Sequence, residues 1–276
     1  MFARLFAPEL GPRRWTSSDL SALRAAAELL ENPSGFVRLL SKFGNLIDGG
    51  MKKLSRDNRR RLEEVVATSL RLALDGALCG FSASSSSTPS PNLFRAGAAA
   101  SGAVSGALGL TGALVDLPVS TGLILRSVAE IARSKGEDLE QPEARLACIE
   151  VFALGGRSAE DDHLESAYFL ARIGLGKIVG EASKAIARGE SGPALAKLVT
   201  AVAARFFPNA AQKVAAAAIP IIGAVVGSAL NFAFITHYQC MAEGHFEIRR
   251  LSRSYGAEEV RTRYEAIVRE SSAGGA

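Results

Sequence analysis

The stretch AIPIIGAVVGSALNFAFITHYQCMAEGHF, residues 218–246, decides the fold. It belongs to a longer run, residues 214–242, that contains no Asp, Glu, Lys or Arg. Such a run is either a membrane span, which needs about 20 apolar residues, or a helix buried inside a bundle. Pro220, Asn231 and His237 interrupt the run, and no aromatic belt flanks it. We therefore interpret it as a helix buried against other helices.

A second segment, residues 96–115, has the length of a span but consists mainly of Gly, Ala and other small residues. Each glycine in a helix costs about 1 kcal/mol relative to Ala, so glycines are tolerated where a second backbone must approach closely. Asp116 follows at once, and a charge at the bilayer centre costs about 3 kcal/mol. We predict that neither this segment nor residues 214–236 spans a membrane constitutively. Conditional insertion of 96–125 or 214–242 stays open.

The spacing of the glycines predicts how these two segments pack. Gly223 and Gly227 are four residues apart and therefore lie on one helix face. We expect residues 218–243 to form a helix that crosses the helices of residues 97–135 at these glycines. Asn231, one turn further along, is expected to satisfy backbone groups across the crossing.

Two prolines predict helix boundaries. Proline pushes the residue before it out of helical geometry, so Asp116 is expected to cap a helix that starts at Pro118. Asp116 and Arg126 are expected to form a buried ion pair that joins helices. Pro208 is expected to end a helix that covers Leu195–Phe207.

Composition and patterning predict an all-α fold. Of 276 residues, 48% are apolar and 22% charged, which is ordinary for a globular protein, and no run alternates convincingly between apolar and polar residues. We predict a multi-helix bundle with glycine-rich, closely packed central helices. The Ser/Pro-rich stretch SASSSSTPSPN, residues 82–92, predicts a linker between an N-terminal helical extension, 1–81, and the main helical domain, 93–276.

Cysteine usage and the N-terminus predict the compartment. The three cysteines, Cys79, Cys148 and Cys240, match no disulfide framework or metal-binding spacing, which is typical of reduced thiols in the cytoplasm. The first residues lack the apolar core of a secretory signal. We expect a cytoplasmic protein that meets any membrane from the inner face.

A basic cluster marks the start of one helix. It contains six basic residues in ten positions: Lys52, Lys53, Arg56, Arg59, Arg60 and Arg61. A basic face beside an apolar stripe suits anionic lipid headgroups, although an ordinary solvated helix face has the same composition. No aromatic residues interleave with these charges, so we expect no nucleic-acid partner.

An alternative function is a metal-assisted hydrolase. Asp161, Asp162 and Glu165 form an acidic turn, against which His237 or His245 could supply an imidazole for acid–base chemistry. Capping of a helix start explains the same acids. The two histidines are eight residues apart, about 12 Å along a helix, so they cannot share one zinc ion. His237 and Cys240 could face each other as base and thiol. No familiar nucleotide, hydrolase or zinc motif occurs, and we expect no metal and no cofactor.

Three motifs carry a resemblance to a known family. They are DLPVSTGLILRSVAEIARSKGEDL at 116–139, CIEVFALGGRS at 148–158, and AIPIIGAVVGSALNFAFITHYQCMAEGHFEIRRLSRSYG at 218–256. Together they resemble the EcsC protein family of bacteria over about residues 95–256.

The resemblance implies a helical protein that is cytoplasmic or peripheral to the membrane. The founding member of the family takes its name from an association with an ABC exporter system, and no established chemistry comes with the family. The expected function is therefore a membrane-peripheral accessory or adaptor protein of a transport or envelope system. Its expected partner is an anionic membrane surface or a membrane protein, and a homo-oligomer is a further option.

Overall fold

The computed structural model describes residues 14–31, 55–79, 90–156, 167–217 and 223–273. Within these ranges the chain forms nine α-helices and no strand, which confirms the all-α prediction. The helices are α1 Ser17–Glu31, α2 Arg56–Leu78, α3 Pro91–Ala107, α4 Gly109–Ser134, α5 Pro142–Leu154, α6 Ala167–Ala187, α7 Gly192–Ala217, α8 Gly223–Tyr255 and α9 Ala257–Ala273.

Helices α3 and α4 form a hairpin with a one-residue tip. Residues 96–115 do not form one continuous helix, because the chain turns at Leu108 and Gly109. Gly109 has φ +60°, a left-handed conformation that glycine adopts without a Cβ penalty. In the described part of the chain, only α4 is long and apolar enough to cross a membrane, and 61% of its most apolar window is buried within the protein.

Both proline predictions are wrong, since each proline lies inside a helix. Helix α4 runs from Gly109 to Ser134 through Pro118, and α7 continues through Pro208. A proline inside a helix removes one backbone hydrogen bond. Here the neighbouring side chains hold both helices in place: Leu117, just before Pro118, is fully buried, and Asn209, just after Pro208, donates to the Gly155 carbonyl at 2.8 Å.

Helix α8 is the axis of the bundle. Gly227 lies against Gly102 and Gly106 of α3, whereas Gln239 donates to the Pro91 carbonyl at the other end of α3 at 3.2 Å. The two helices are therefore antiparallel. Gln239 also donates to Ser127 of α4 at 2.7 Å, so α8 and α4 run in the same direction from the hairpin tip.

The remaining helices close the core around this centre. Helix α2 adds Leu62, Val66, Leu70 and Leu74 to the same hydrophobic core that α4, α5, α7 and α8 build. Helix α1 packs with α8 and α9 in a second cluster around Leu23, Ile248 and Tyr264. The linker at 82–92 lies mostly outside the described residues, so the division into extension, linker and main domain stays a prediction.

Candidate functional site

A buried ion pair ties three helices together near the hairpin tip. Lys213 of α7 donates through Nζ to Asp116 Oδ2 at 2.7 Å and to Ser120 Oγ at 2.9 Å. Ser101 of α3 also donates to the Asp116 carboxylate. The two charged side chains are 3% exposed or less. An ion pair this deep is stable only when its remaining hydrogen-bonding capacity is satisfied, as it is here.

The surroundings set the protonation of this pair. Burial alone would raise the pKa of Asp116, but the Lys213 charge and the donated hydrogen bonds outweigh it, so the pKa lies below its ordinary value. Burial lowers the pKa of Lys213, an effect that the Asp116 charge partly offsets. Mutual stabilisation in a low-dielectric site favours the charged form of both groups.

Two expected roles around Asp116 are corrected by these contacts. Arg126 is exposed, about 15 Å from Asp116 along the same helix, and makes no ion pair with it. The charge partner of Asp116 is Lys213. Asn231 does not satisfy backbone groups but donates through Nδ2 to both carboxylate oxygens of Asp116, at 3.0 and 2.9 Å.

The hairpin tip and the start of α8 form a surface that we call the uncharged end. It comprises the exposed residues of 96–125, a stretch whose one charged residue is the buried Asp116, together with the exposed residues of 227–232. Large apolar side chains are exposed on it: Val104 69%, Leu108 67%, Val115 68%, Val119 51% and Phe232 46%. An exposed apolar surface without charges typically marks a membrane or protein contact.

The described part of the basic cluster lies on the outer face of α2. Arg56, Arg59, Arg60 and Arg61 are all exposed, and Lys52 and Lys53 lie outside the described residues. Arg59 and Arg60 face Glu63 and Glu64 at 3.7 and 3.5 Å, so part of the positive charge is locally compensated. The Arg59 guanidinium lies 5.9 Å from the Phe207 ring, which places the start of α2 beside α7.

The two histidines occupy separate buried positions. His237 is hydrogen-bonded through Nε2 to the Gly155 carbonyl at 2.7 Å, and its ring packs on Tyr238. His245 is hydrogen-bonded through Nδ1 to Tyr168 at 3.0 Å. The acidic turn with Asp161, Asp162 and Glu165 lies outside the described residues. Burial raises the pKa of the Cys240 thiol, which is the opposite of an activated nucleophile.

Glu150 of α5 and His245 lie close together inside the core, and Glu150 is not among the site residues predicted from the sequence. Glu150 Oε2 lies 4.0 Å from His245 Nε2, too far for a hydrogen bond. Glu150 Oε1 and His245 Nε2 are both buried without a hydrogen-bond partner in the described residues. Burial raises the pKa of Glu150 to about 7 and holds the pKa of His245 well below its ordinary value, so both neutral forms are favoured.

Lys213 and Glu150 were not predicted as site residues, yet each has a recognisable sequence pattern, a single charge inside an apolar run. Lys213 is the one charged residue between Arg205 and Glu243, and Glu150 is the one between Arg145 and Arg157. Such residues are rarely buried unless they are paired or functional. Among the described residues, no group of three or more His, Cys, Asp or Glu side chains could hold a metal ion.

Comparisons with known proteins give one match. No curated protein and no solved structure matches the chain. The model of the EcsC protein family matches residues 87–251, a range that begins just before the hairpin and ends within α8, and that contains the buried Asp116, Lys213, Glu150 and His245. Since this range covers more than half of the chain, the protein belongs to the EcsC protein family.

Proposed function

We propose that this protein is a membrane-peripheral accessory or adaptor protein, and that its uncharged end is the part that contacts the bilayer. The observation that carries the proposal is the exposure of Val104, Leu108, Val115 and Val119 around a hairpin tip that presents no charge. The family suggests the setting, a transport or envelope system.

The expected strength of this contact is that of reversible binding. Complete burial of a Val or Leu side chain stabilises by about 1.5–3 kcal/mol. Four such side chains, each half to two-thirds exposed, supply several kcal/mol when lipid covers them. That is comparable to a single acyl chain, which gives reversible membrane binding.

The basic face of α2 supplies a second, electrostatic contribution. Each Lys or Arg near an anionic surface adds about 1 kcal/mol, screened by salt. Arg56 and Arg61 make no ion pair with another described residue, whereas Arg59 and Arg60 face glutamates. We therefore expect binding to prefer anionic vesicles at low salt and to persist partly at high salt.

The test is flotation of the full chain with vesicles of phosphatidylglycerol and of phosphatidylcholine. The double variant Val104→Asp with Leu108→Asp should bind at least tenfold more weakly, because two carboxylates must then be desolvated. Leu108 precedes the first residue of α4, where Asp is a favoured capping residue, so the variant should keep its fold.

The matched control is Leu72→Asp on α2, where the leucine is 58% exposed and lies outside the uncharged end. It should bind vesicles like the wild type. Wild-type protein that stays unbound with both lipids would overturn the proposal, as would equal binding by the hairpin variant. Self-association that the hairpin variant abolishes, without vesicle binding, would assign the surface to a homo-oligomer instead.

The alternative of a metal-assisted hydrolase has no geometric support in the described part of the chain. His237 and His245 each have a different buried environment, and neither is placed against a group of acids that could hold a metal.

A further inference from the structure

A cleft of about 480 Å³ opens between α5, α6, α8 and α9. This volume is within the range of small-molecule sites, about 300–1,000 Å³. Arg249 of α8 lines it, and Gly227, at the uncharged end, lies twenty-two residues earlier on the same helix, about 33 Å away. The cleft is thus a separate feature from the surface proposed to contact lipid.

Glu150 lines this cleft, and its Oε1 atom has no hydrogen-bond partner among the described residues. Its side chain is 4% exposed. A buried polar atom left without a partner costs about 1–3 kcal/mol, so such atoms in native proteins require an explanation. A ligand that donates a hydroxyl hydrogen to Glu150 would provide the missing bond.

The lining of the cleft is cationic. Five basic residues and three acidic residues contribute to it. Two of the basic residues are held by carboxylates, Arg249 by Glu137 at 2.9 Å and Arg261 by Glu265 at 2.7 Å. The other three are Arg172, Lys177 and Lys184. Arg172 is hydrogen-bonded to Tyr168, and Lys177 and Lys184 interact electrostatically with Glu181 without a close ion pair. An excess of cations around a cleft favours a ligand with a multiply charged anionic group.

Two glycines of α6 leave the cleft open. Gly176 and Gly180 line it four residues apart, on one face of the helix. A Cβ atom added at either glycine would meet no atom within 4 Å. Close helix packing therefore does not explain these glycines, although each costs about 1 kcal/mol in helix stability relative to Ala.

We propose that this cleft binds a small phosphate ester of a hydroxylated molecule, with the phosphate against Arg172 and Lys177 and a hydroxyl group on Glu150. An arginine fork matches phosphate geometry, and a lysine adds a mobile point charge. The high pKa of Glu150 supports the assignment, because a carboxyl that is partly protonated tolerates a nearby phosphate.

The test is calorimetric titration of the full chain with glycerol 3-phosphate and with inorganic phosphate. We expect millimolar or tighter binding of glycerol 3-phosphate. Gly180→Leu should weaken it at least tenfold by filling the cleft. Gly174→Leu is the matched control, since Gly174 is on the same helix, also has open space at Cβ, and does not line the cleft.

Two further variants separate the parts of the site. Arg172→Gln should weaken both ligands, whereas Glu150→Leu should weaken glycerol 3-phosphate and spare inorganic phosphate. Failure of glycerol 3-phosphate to bind the wild type overturns the proposal, and so does equal binding by Gly180→Leu. If the phosphate belongs to a lipid headgroup, Gly180→Leu also reduces binding to phosphatidylglycerol vesicles. If it belongs to a free metabolite, vesicle binding is unchanged.

Discussion

Gly227 is the residue at which the two central helices come closest. A Cβ atom there would collide with the Gly102 carbonyl oxygen and would lie 2.9 Å from the Gly106 Cα. These are backbone atoms, which cannot rotate away as a side chain can. The glycine spacing predicted a crossing at this residue, whereas the contacts of Gly223 are outside what the structure describes.

We predict that Gly227→Ala lowers the free energy of unfolding by about 1–3 kcal/mol, the usual effect of overpacking. Gly122→Ala, in α4, is the matched control, because a Cβ there meets nothing within 4 Å. The control should be neutral or stabilising by up to about 1 kcal/mol. Urea denaturation measures the free energy of unfolding of both variants. Equal stability of Gly227→Ala and Gly122→Ala would contradict the close crossing of α3 and α8.

The sequence could not predict the partners of buried polar residues. The sequence indicates a structural role for Asp116 from the proline two residues later and for Asn231 from its place in an apolar run, but the contact of Asp116 with Lys213 joins residues 97 apart in the chain. The spacing of apolar residues along a helix predicts which face is buried. It does not predict which residue of another helix lies opposite that face. The predicted partner, Arg126, lies on the same helix as Asp116, and that helix places it on the exposed side.

Among the helices, α4 and α7 continue through Pro118 and Pro208 because tertiary packing outweighs the local preference of proline for a helix end. A proline inside a helix costs about 3 kcal/mol. The burial of Leu117, Ile124 and Leu125, at about 1.5–3 kcal/mol for each side chain, stabilises the continuous helix by more than that. The sequence shows the local cost of a proline in a helix but does not show the tertiary contacts that offset it. The predicted helix boundaries at Pro118 and Pro208 are therefore wrong, whereas the prediction that helices exist in these regions is correct.

Helix α1 is held to α8 by polar and aromatic contacts in addition to the second hydrophobic cluster. Asp19 accepts hydrogen bonds from Tyr255 and Arg250, both at 2.6 Å, and these hold its pKa at about 2. Trp15, the sole tryptophan of the chain, stacks on Tyr255 with ring centroids 4.1 Å apart. Tryptophan fluorescence therefore reports whether α1 is docked.

We predict that Asp19→Asn weakens this docking by about 2 kcal/mol, since hydrogen bonds to a charged group contribute about 1.5–3 kcal/mol. Trp15 emission should shift to longer wavelength at lower urea concentrations than in the wild type, with far-UV circular dichroism little changed. Asp57→Asn, at the equivalent first turn of α2, serves as the control and should leave the emission unaltered. An unshifted fluorescence transition in Asp19→Asn would show that the hydrogen bonds of Asp19 do not contribute to the docking of α1.

In the whole molecule, the hydrophobic core extends to residues before the start of the family match. The match begins at residue 87, yet α2, which precedes it, contributes Leu62, Val66, Leu70 and Leu74 to the shared core. Their burial supplies on the order of 10 kcal/mol as an upper estimate, comparable to the total stability of a typical domain.

We predict that a fragment covering residues 87–276 does not fold stably on its own. It should aggregate, or melt at least 10 °C below the full chain, given roughly 2–4 °C per kcal/mol at this size. Scanning calorimetry and size-exclusion chromatography test this. A monomeric fragment with a cooperative transition near that of the full chain would instead support an autonomous domain from residue 93.

Helix α8 is an unbroken rod of 33 residues, about 50 Å long. Its first turns belong to the uncharged end, and its Arg249 lines the cleft. Because a straight helix moves as a rigid body, a tilt of α8 by about 5° about one end displaces its other end by about 4 Å. If the proposed membrane contact tilts α8 about its first turns, the distance between Arg249 and the α6 side of the cleft changes with it. Helix α8 would then act as a lever between the proposed lipid contact and the proposed ligand cleft.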